Sequence, residues 1–99
     1  METSLKPRIE IEYCQQCRWL MRAAWMAQEL LVTFEGLLGE VALIPGTDGV
    51  FEVRVEGVPV WSRSSKGRFP EIKELKQLVR DLVAPEMPLG HSDRQPASG

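Results

Sequence analysis

Long apolar runs are missing from this 99-residue chain, and with them the stretch of about eighteen consecutive apolar residues that a membrane helix needs. Histidine is nearly missing too: His91 is the one copy, so a zinc site of the Cys and His type would be short of ligands. Basic residues are neither in excess nor clustered. Twelve Lys and Arg are interspersed with fourteen Asp and Glu, for a formal net charge of −2, which argues against a nucleic-acid partner. Met1 to Pro7 holds no apolar segment that would serve as a signal peptide, so a cytoplasmic location is the expectation. There are two cysteines, Cys14 and Cys17. In a reducing compartment such a pair points to catalysis or metal binding before it points to a structural staple.

What is present is ordinary globular composition, with 43% apolar and 26% charged residues, in a length that suits one core. Arg8 to Tyr13 alternates strictly, placing Ile9, Ile11 and Tyr13 on one face and Arg8, Glu10 and Glu12 on the other, as a half-buried strand does. Beyond the Cys14-Gln15-Gln16-Cys17 segment and Arg18, from Trp19 onward, the period lengthens. Leu20, Ala23, Ala24, Ala27, Leu30, Leu31 and Phe34 follow helical spacing, and Gly36 or Gly39 should end the helix. Glu40 to Ile44 reads as a second strand, closed by the turn-rich Pro45-Gly46-Thr47-Asp48-Gly49. Phe51, Val53 and Val55 alternate with charged residues, Glu56-Gly57 is a two-residue connection, and Val58 to Ser62 returns with Val58 and Val60 inward, predicting a hairpin. Arg63 to Phe69 reads as a loop. Ile72, Leu75, Leu78, Val79 and Leu82 mark a second helix from Pro70, ended by Pro85.

The order β-α-β-β-β-α predicts an α/β fold: a two-layer sandwich with a mixed four-stranded sheet and both helices on one face. The first two strands, joined through a helix, should be parallel, and the expected strand order is second, first, third, fourth. Residues 1–7 are expected to be a flexible N-terminus, 8–86 the domain and 87–99 a disordered tail.

Two cysteines separated by two residues, at a strand-to-helix junction in a chain with this order, form the context in which the motif reads as redox. The spacing brings both sulfurs within bonding reach, and a helix N-terminus offers unpaired amides and partial positive charge to a thiolate. A free thiol of pKa near 8.5 is only roughly 3% ionised at pH 7, so even a modest depression matters. Arg18 could add to it. Two other readings stand beside this one: half of a zinc site, and a pair of inert buried cysteines. Trp19, Trp25 and Trp61 are either core or part of an apolar surface near the motif. Arg63, Lys66 and Arg68 are either a solvated loop or an attractor for an anionic thiol such as glutathione.

Ile9-Glu10-Ile11-Glu12-Tyr13-Cys14-Gln15-Gln16-Cys17, Gly49-Val50-Phe51-Glu52-Val53 and Gly67-Arg68-Phe69-Pro70-Glu71-Ile72-Lys73 together resemble the selenoprotein W-like family over roughly Arg8 to Val83. The resemblance implies a thioredoxin-like fold and a redox role. Animal members carry selenocysteine where Cys17 stands, so this chain resembles the cysteine-containing bacterial type. Thioredoxins proper place a cis-proline before the strand facing the motif, whereas Gly49-Val50 stands there in this chain. The function expected is thiol–disulfide exchange through Cys14 and Cys17, with no bound cofactor, linked to glutathione or a thioredoxin-type reductant and to an unidentified protein partner. A redox-sensitive interaction module with little turnover is the alternative. Helix geometry favours Cys14 as the attacking sulfur, while the position of selenium in the family points to Cys17.

Overall fold

Alternation along Arg8–Cys14 is what makes β1 the centre of the molecule. Ile9, Ile11 and Tyr13 are buried on one side while Glu10 and Glu12 remain partly exposed on the other. The computed structural model describes residues 6–90, as β1, α1 (Leu20–Thr33), β2 (Glu40–Gly46), β3 (Phe51–Val55), β4 (Val58–Ser62), α2 (Arg63–Lys66) and α3 (Ile72–Val83). The sheet order is β2-β1-β3-β4, with β2 parallel to β1 and the other two pairings antiparallel, as expected from the sequence. Both long helices cover one face, where Ile9, Ile11, Phe51, Val53 and Val55 share a single core with Leu30 and Phe34 of the α1 segment and Leu75 and Val79 of α3. Truncating a buried aromatic such as Phe34 to alanine costs about 3–5 kcal/mol in a core of this kind.

The opposite face carries charge in place of apolar cover. Arg54 on β3 reaches across to β1, donating to Glu10 at 2.8 Å and Glu12 at 3.1 Å, with Glu52 at 3.6 Å. The Arg54 and Arg8 guanidiniums hold the Glu10 carboxyl below the usual carboxylate range. The β3–β4 hairpin turns at Glu56 and Gly57, both with positive φ, the backbone that matches the twist of a two-residue connection. Non-glycine Glu56 is held there by exchange with β1: its N–H donates to the Arg8 carbonyl at 2.9 Å, and its carboxylate accepts from the Arg8 N–H at 2.6 Å.

Four sequence expectations are corrected. β2 runs on through Pro45 to Gly46, because β2 is an edge strand and proline costs no ladder bond on its open side. On α1 the buried positions are Ala23, Met26, Ala27 and Leu30, while Leu20 and Leu31 are 48% and 44% exposed. Met26 satisfies the same spacing, and the small alanines let the helix lie close to the sheet along this narrower stripe. On β4 a register shift opposite Val53 and Arg54 pairs Val53 with Trp61 and leaves Val60 as the extra residue. Trp61, 4% exposed, therefore completes the inward face that simple alternation assigns to Val60. Arg63–Lys66 forms a short helical turn ended by left-handed Gly67, and α3 starts at Ile72, where the Glu71 N–H donates to the Glu74 carboxylate at 2.9 Å. Met87 and Leu89 pack against the core, and the Met87 carbonyl accepts from Arg80 at 2.8 Å. The expected tail from 91 and the N-terminal residues 1–5 lie outside the described residues.

Candidate redox site

Cys14 is the last residue of β1, and the chain leaves the sheet through a turn over residues 15–18 before α1 begins. Three backbone bonds hold that turn. The Gln15 N–H donates to the Gly46 carbonyl at 3.0 Å, tying it to the end of β2. The Arg18 N–H donates to the Gln15 carbonyl at 3.1 Å, and the Trp19 N–H to the Cys14 carbonyl at 3.4 Å. Arg18 closes the turn with φ of 65°, an uncommon backbone for a residue with a side chain. The Cys14 and Cys17 sulfurs stand at disulfide distance, with Cα atoms 5.3 Å apart.

The two sulfurs are not equivalent. Cys14 is 1% exposed, whereas Cys17 is partly exposed. The Cys17 N–H donates to the Cys14 sulfur at 3.3 Å. The helix geometry that favoured Cys14 as the attacking sulfur is not the one found: Cys14 neither caps the helix nor is the open sulfur. Trp19 occupies the N-cap position, the motif lies one turn earlier, and the turn covers Cys14 while leaving Cys17 at the rim. Tyr13, Gln15, Arg18, Leu20 and Met21, from the two ends of the turn, line a cavity of about 330 Å³, with Met21 83% exposed.

An aromatic cluster that the sequence did not reveal supports the other side of the turn. Trp19 and Phe69 meet edge to face at 4.8 Å between centroids, Phe69 and Phe51 at 5.1 Å, and Trp19 and Phe51 at 6.5 Å. The topology makes this meeting possible. The end of β1, the start of β3 and the end of β4 share one edge of the sheet, so the loop after β4 returns to the motif. Phe51 and Phe69 are 18 positions apart and follow no common period, so the available signal was their presence in two of the segments that carry the family resemblance.

Of the three cations singled out in the sequence, Arg68 is committed to Glu74, donating at 2.6 and 3.2 Å, and Lys66 lies over the Trp61 ring. The Arg68 guanidinium holds the Glu74 carboxyl below its usual range. Arg63 instead lies over Trp19 and Phe69, at 5.0 and 5.1 Å from the ring centroids. Among the described residues no group of three or more His, Cys, Asp and Glu side chains could hold a metal, and His91 lies outside them. No helix of the described residues is long and apolar enough to cross a membrane.

Comparison with known proteins matches residues 8–81, the whole sheet and most of α3, to the Rdx family. The chain belongs to the Rdx family. A crystal structure of a protein from Bordetella parapertussis is 64% identical, with a TM-score of 0.76, covering 77% of this chain and 96% of that one. The crystal structure of a selenoprotein W-related protein from Vibrio cholerae is 54% identical, with a TM-score of 0.77, covering 79% of this chain and 98% of that one. These likenesses bear out the resemblance to selenoprotein W-like proteins of the bacterial, cysteine-containing type. Migration and invasion enhancer 1 of Bos taurus is 32% identical over 73 residues, 74% of this chain. That match spans 62% of the bovine protein's own length. As an Rdx family member, the chain has its paired cysteines at the end of the inner strand β1, where strand, turn and helix meet.

Proposed function

We propose that this Rdx family member is a cytoplasmic thiol–disulfide redox protein of thioredoxin-like fold that cycles between a Cys14–Cys17 disulfide and the dithiol, with electrons from glutathione or a thioredoxin-type system. The observation that carries the reading is a cysteine pair at disulfide distance with one sulfur covered and the other at the surface. Cys17 is the attacking sulfur. Its thiolate displaces one thiolate from a substrate disulfide and forms a mixed disulfide. The Cys14 thiolate then attacks the Cys17 sulfur, releases the second substrate thiolate and closes the Cys14–Cys17 bond, so two electrons pass to the substrate. Two glutathione molecules, or one dithiol, restore the reduced pair. Cover over Cys14 suits it to the resolving step, which needs reach only to its neighbour.

Limited alkylation of the reduced protein near pH ~6.5, mapped by peptide, tests the assignment. Predominant label on Cys17 is expected; predominant label on Cys14 would exchange the two roles. Slow labelling of both, at the rate of a free thiol, would sink the redox reading. Equilibration with glutathione should give a potential in the range of thioredoxin-like proteins, roughly −270 to −120 mV. The apolar side chains of Leu20, Met21 and Trp25, exposed on α1 beside the motif, favour as a second reading a module that docks a partner according to its redox state.

A further inference from the structure

The described cations of this fold differ in what they meet. Arg8, Arg54, Arg68, Lys76 and Arg80 each reach a carboxylate within 4.0 Å. Arg22 and Arg63 do not; among the described residues neither forms an ion pair. Both instead lie on the aromatic cluster beside the motif. The Arg22 guanidinium is 4.0 Å from the Phe69 centroid, and Arg63 lies 5.0 Å from that of Trp19, the residue whose N–H is bonded to Cys14. Stacking fixes a guanidinium in place while leaving its in-plane N–H groups free, in the fork geometry that accepts a carboxylate. Arg63 adds a second observation: its Nε is buried without a hydrogen-bond partner, so the guanidinium is anchored by the rings and any anion would meet its outer N–H groups.

We propose that Arg22 and Arg63, held on Trp19 and Phe69, form a carboxylate-binding site at the Trp19 end of the motif that selects small disulfides carrying anionic groups. This rests on the redox reading above and supplies its substrate class. The carboxylate binds at the arginines and sets the disulfide beside Cys17. Cys17 attacks one sulfur, the substrate S–S bond breaks and one anionic thiolate leaves. Cys14 then displaces the second, and the protein ends as the Cys14–Cys17 disulfide.

The test is a single turnover of the pre-reduced full chain with three disulfides: dithiodipropionate, which is a dianion, neutral hydroxyethyl disulfide, and dicationic cystamine. Each rate is divided by that of the same disulfide with dithiothreitol, which removes intrinsic sulfur reactivity. The expected order is anionic, neutral, cationic, with the anionic disulfide favoured roughly tenfold over the neutral one, the scale of one charge-assisted contact at a wet site. Arg22→Gln combined with Arg63→Gln should erase that preference, read as the ratio of the anionic to the neutral rate within the variant. In the unaltered chain, which carries no folding risk, raising ionic strength from about 20 to about 500 mM should erase it as well. No anionic preference, or one that survives both the double substitution and salt, would overturn the site and leave the redox reading standing. Failure to consume any of the three disulfides would overturn the redox reading, and the site with it.

Discussion

Gly46→Ala probes how closely the motif is tied to the end of β2. A Cβ added at Gly46 would lie 2.7 Å from Cγ1 of Val50 and 2.8 Å from Oε2 of Glu12, closer than such atoms can stand. The backbone of Gly46 is not left-handed, so the cost is one of space alone. Glu12 can swing its carboxylate aside, but Val50 is branched and partly buried, so part of the strain must go into the backbone of β2. Overpacking of this kind costs about 1–3 kcal/mol, and the stiffer unfolded chain of alanine returns about 0.4–1 kcal/mol. The midpoints leave a net loss of about 1.3 kcal/mol, or some 5–10 °C in melting temperature at about 4–8 °C per kcal/mol for a domain of this size. Val50→Ala removes the nearer contact, so in that background the same glycine substitution should cost less, by about 0.5–1 kcal/mol. Thermal melts of the four proteins of this cycle give the answer. The Gly46 carbonyl also holds the Gln15 N–H, so a shift of β2 should change the rate at which Cys17 is alkylated. A Gly46→Ala protein that melts within about a degree of the parent, or the same loss with and without Val50, would refute the steric argument.

Folding stability should fall in acid, because the Glu10 and Glu74 carboxyls are held below their usual value of 4.5 by arginine partners. Their contribution is complete above that value and is lost as pH falls through the lower folded-state value, which urea midpoints measured downward from pH 5 would follow. Arg54→Leu should lower the urea midpoint more at pH 7 than at pH 3, since at neutral pH it leaves Glu10, Glu12 and Glu52 facing one another without the cation they share, Glu10 alone keeping Arg8. An equal loss at both values would show that Arg54 acts through packing. Trp61→Phe keeps the ring in the core but removes the Nε1–H bond to the Arg68 carbonyl, which is 3.1 Å long, so denaturant unfolding should register a loss of about 0.5–1.5 kcal/mol.

Local periodicity, spacing and turn chemistry were enough to name β1, α1, the β3–β4 hairpin and α3, to order the sheet, and to single out Cys14 and Cys17. Each of those inferences uses residues within a few positions of one another, where the geometry of a strand or helix acts directly on side-chain type. Tertiary structure decided the rest. Which sulfur is covered depends on the turn over residues 15–18 and on its tie to Gly46, some thirty positions away in sequence. Trp61, not Val60, faces inward because a register shift against β3 moves it there, and a bulge is a property of two strands together. Arg63 stands beside the motif because antiparallel β4 brings the following segment back to the edge where β1 ends. Trp19, Phe51 and Phe69 belong to three separate segments, and only packing, which is indifferent to separation along the chain, brings their rings together.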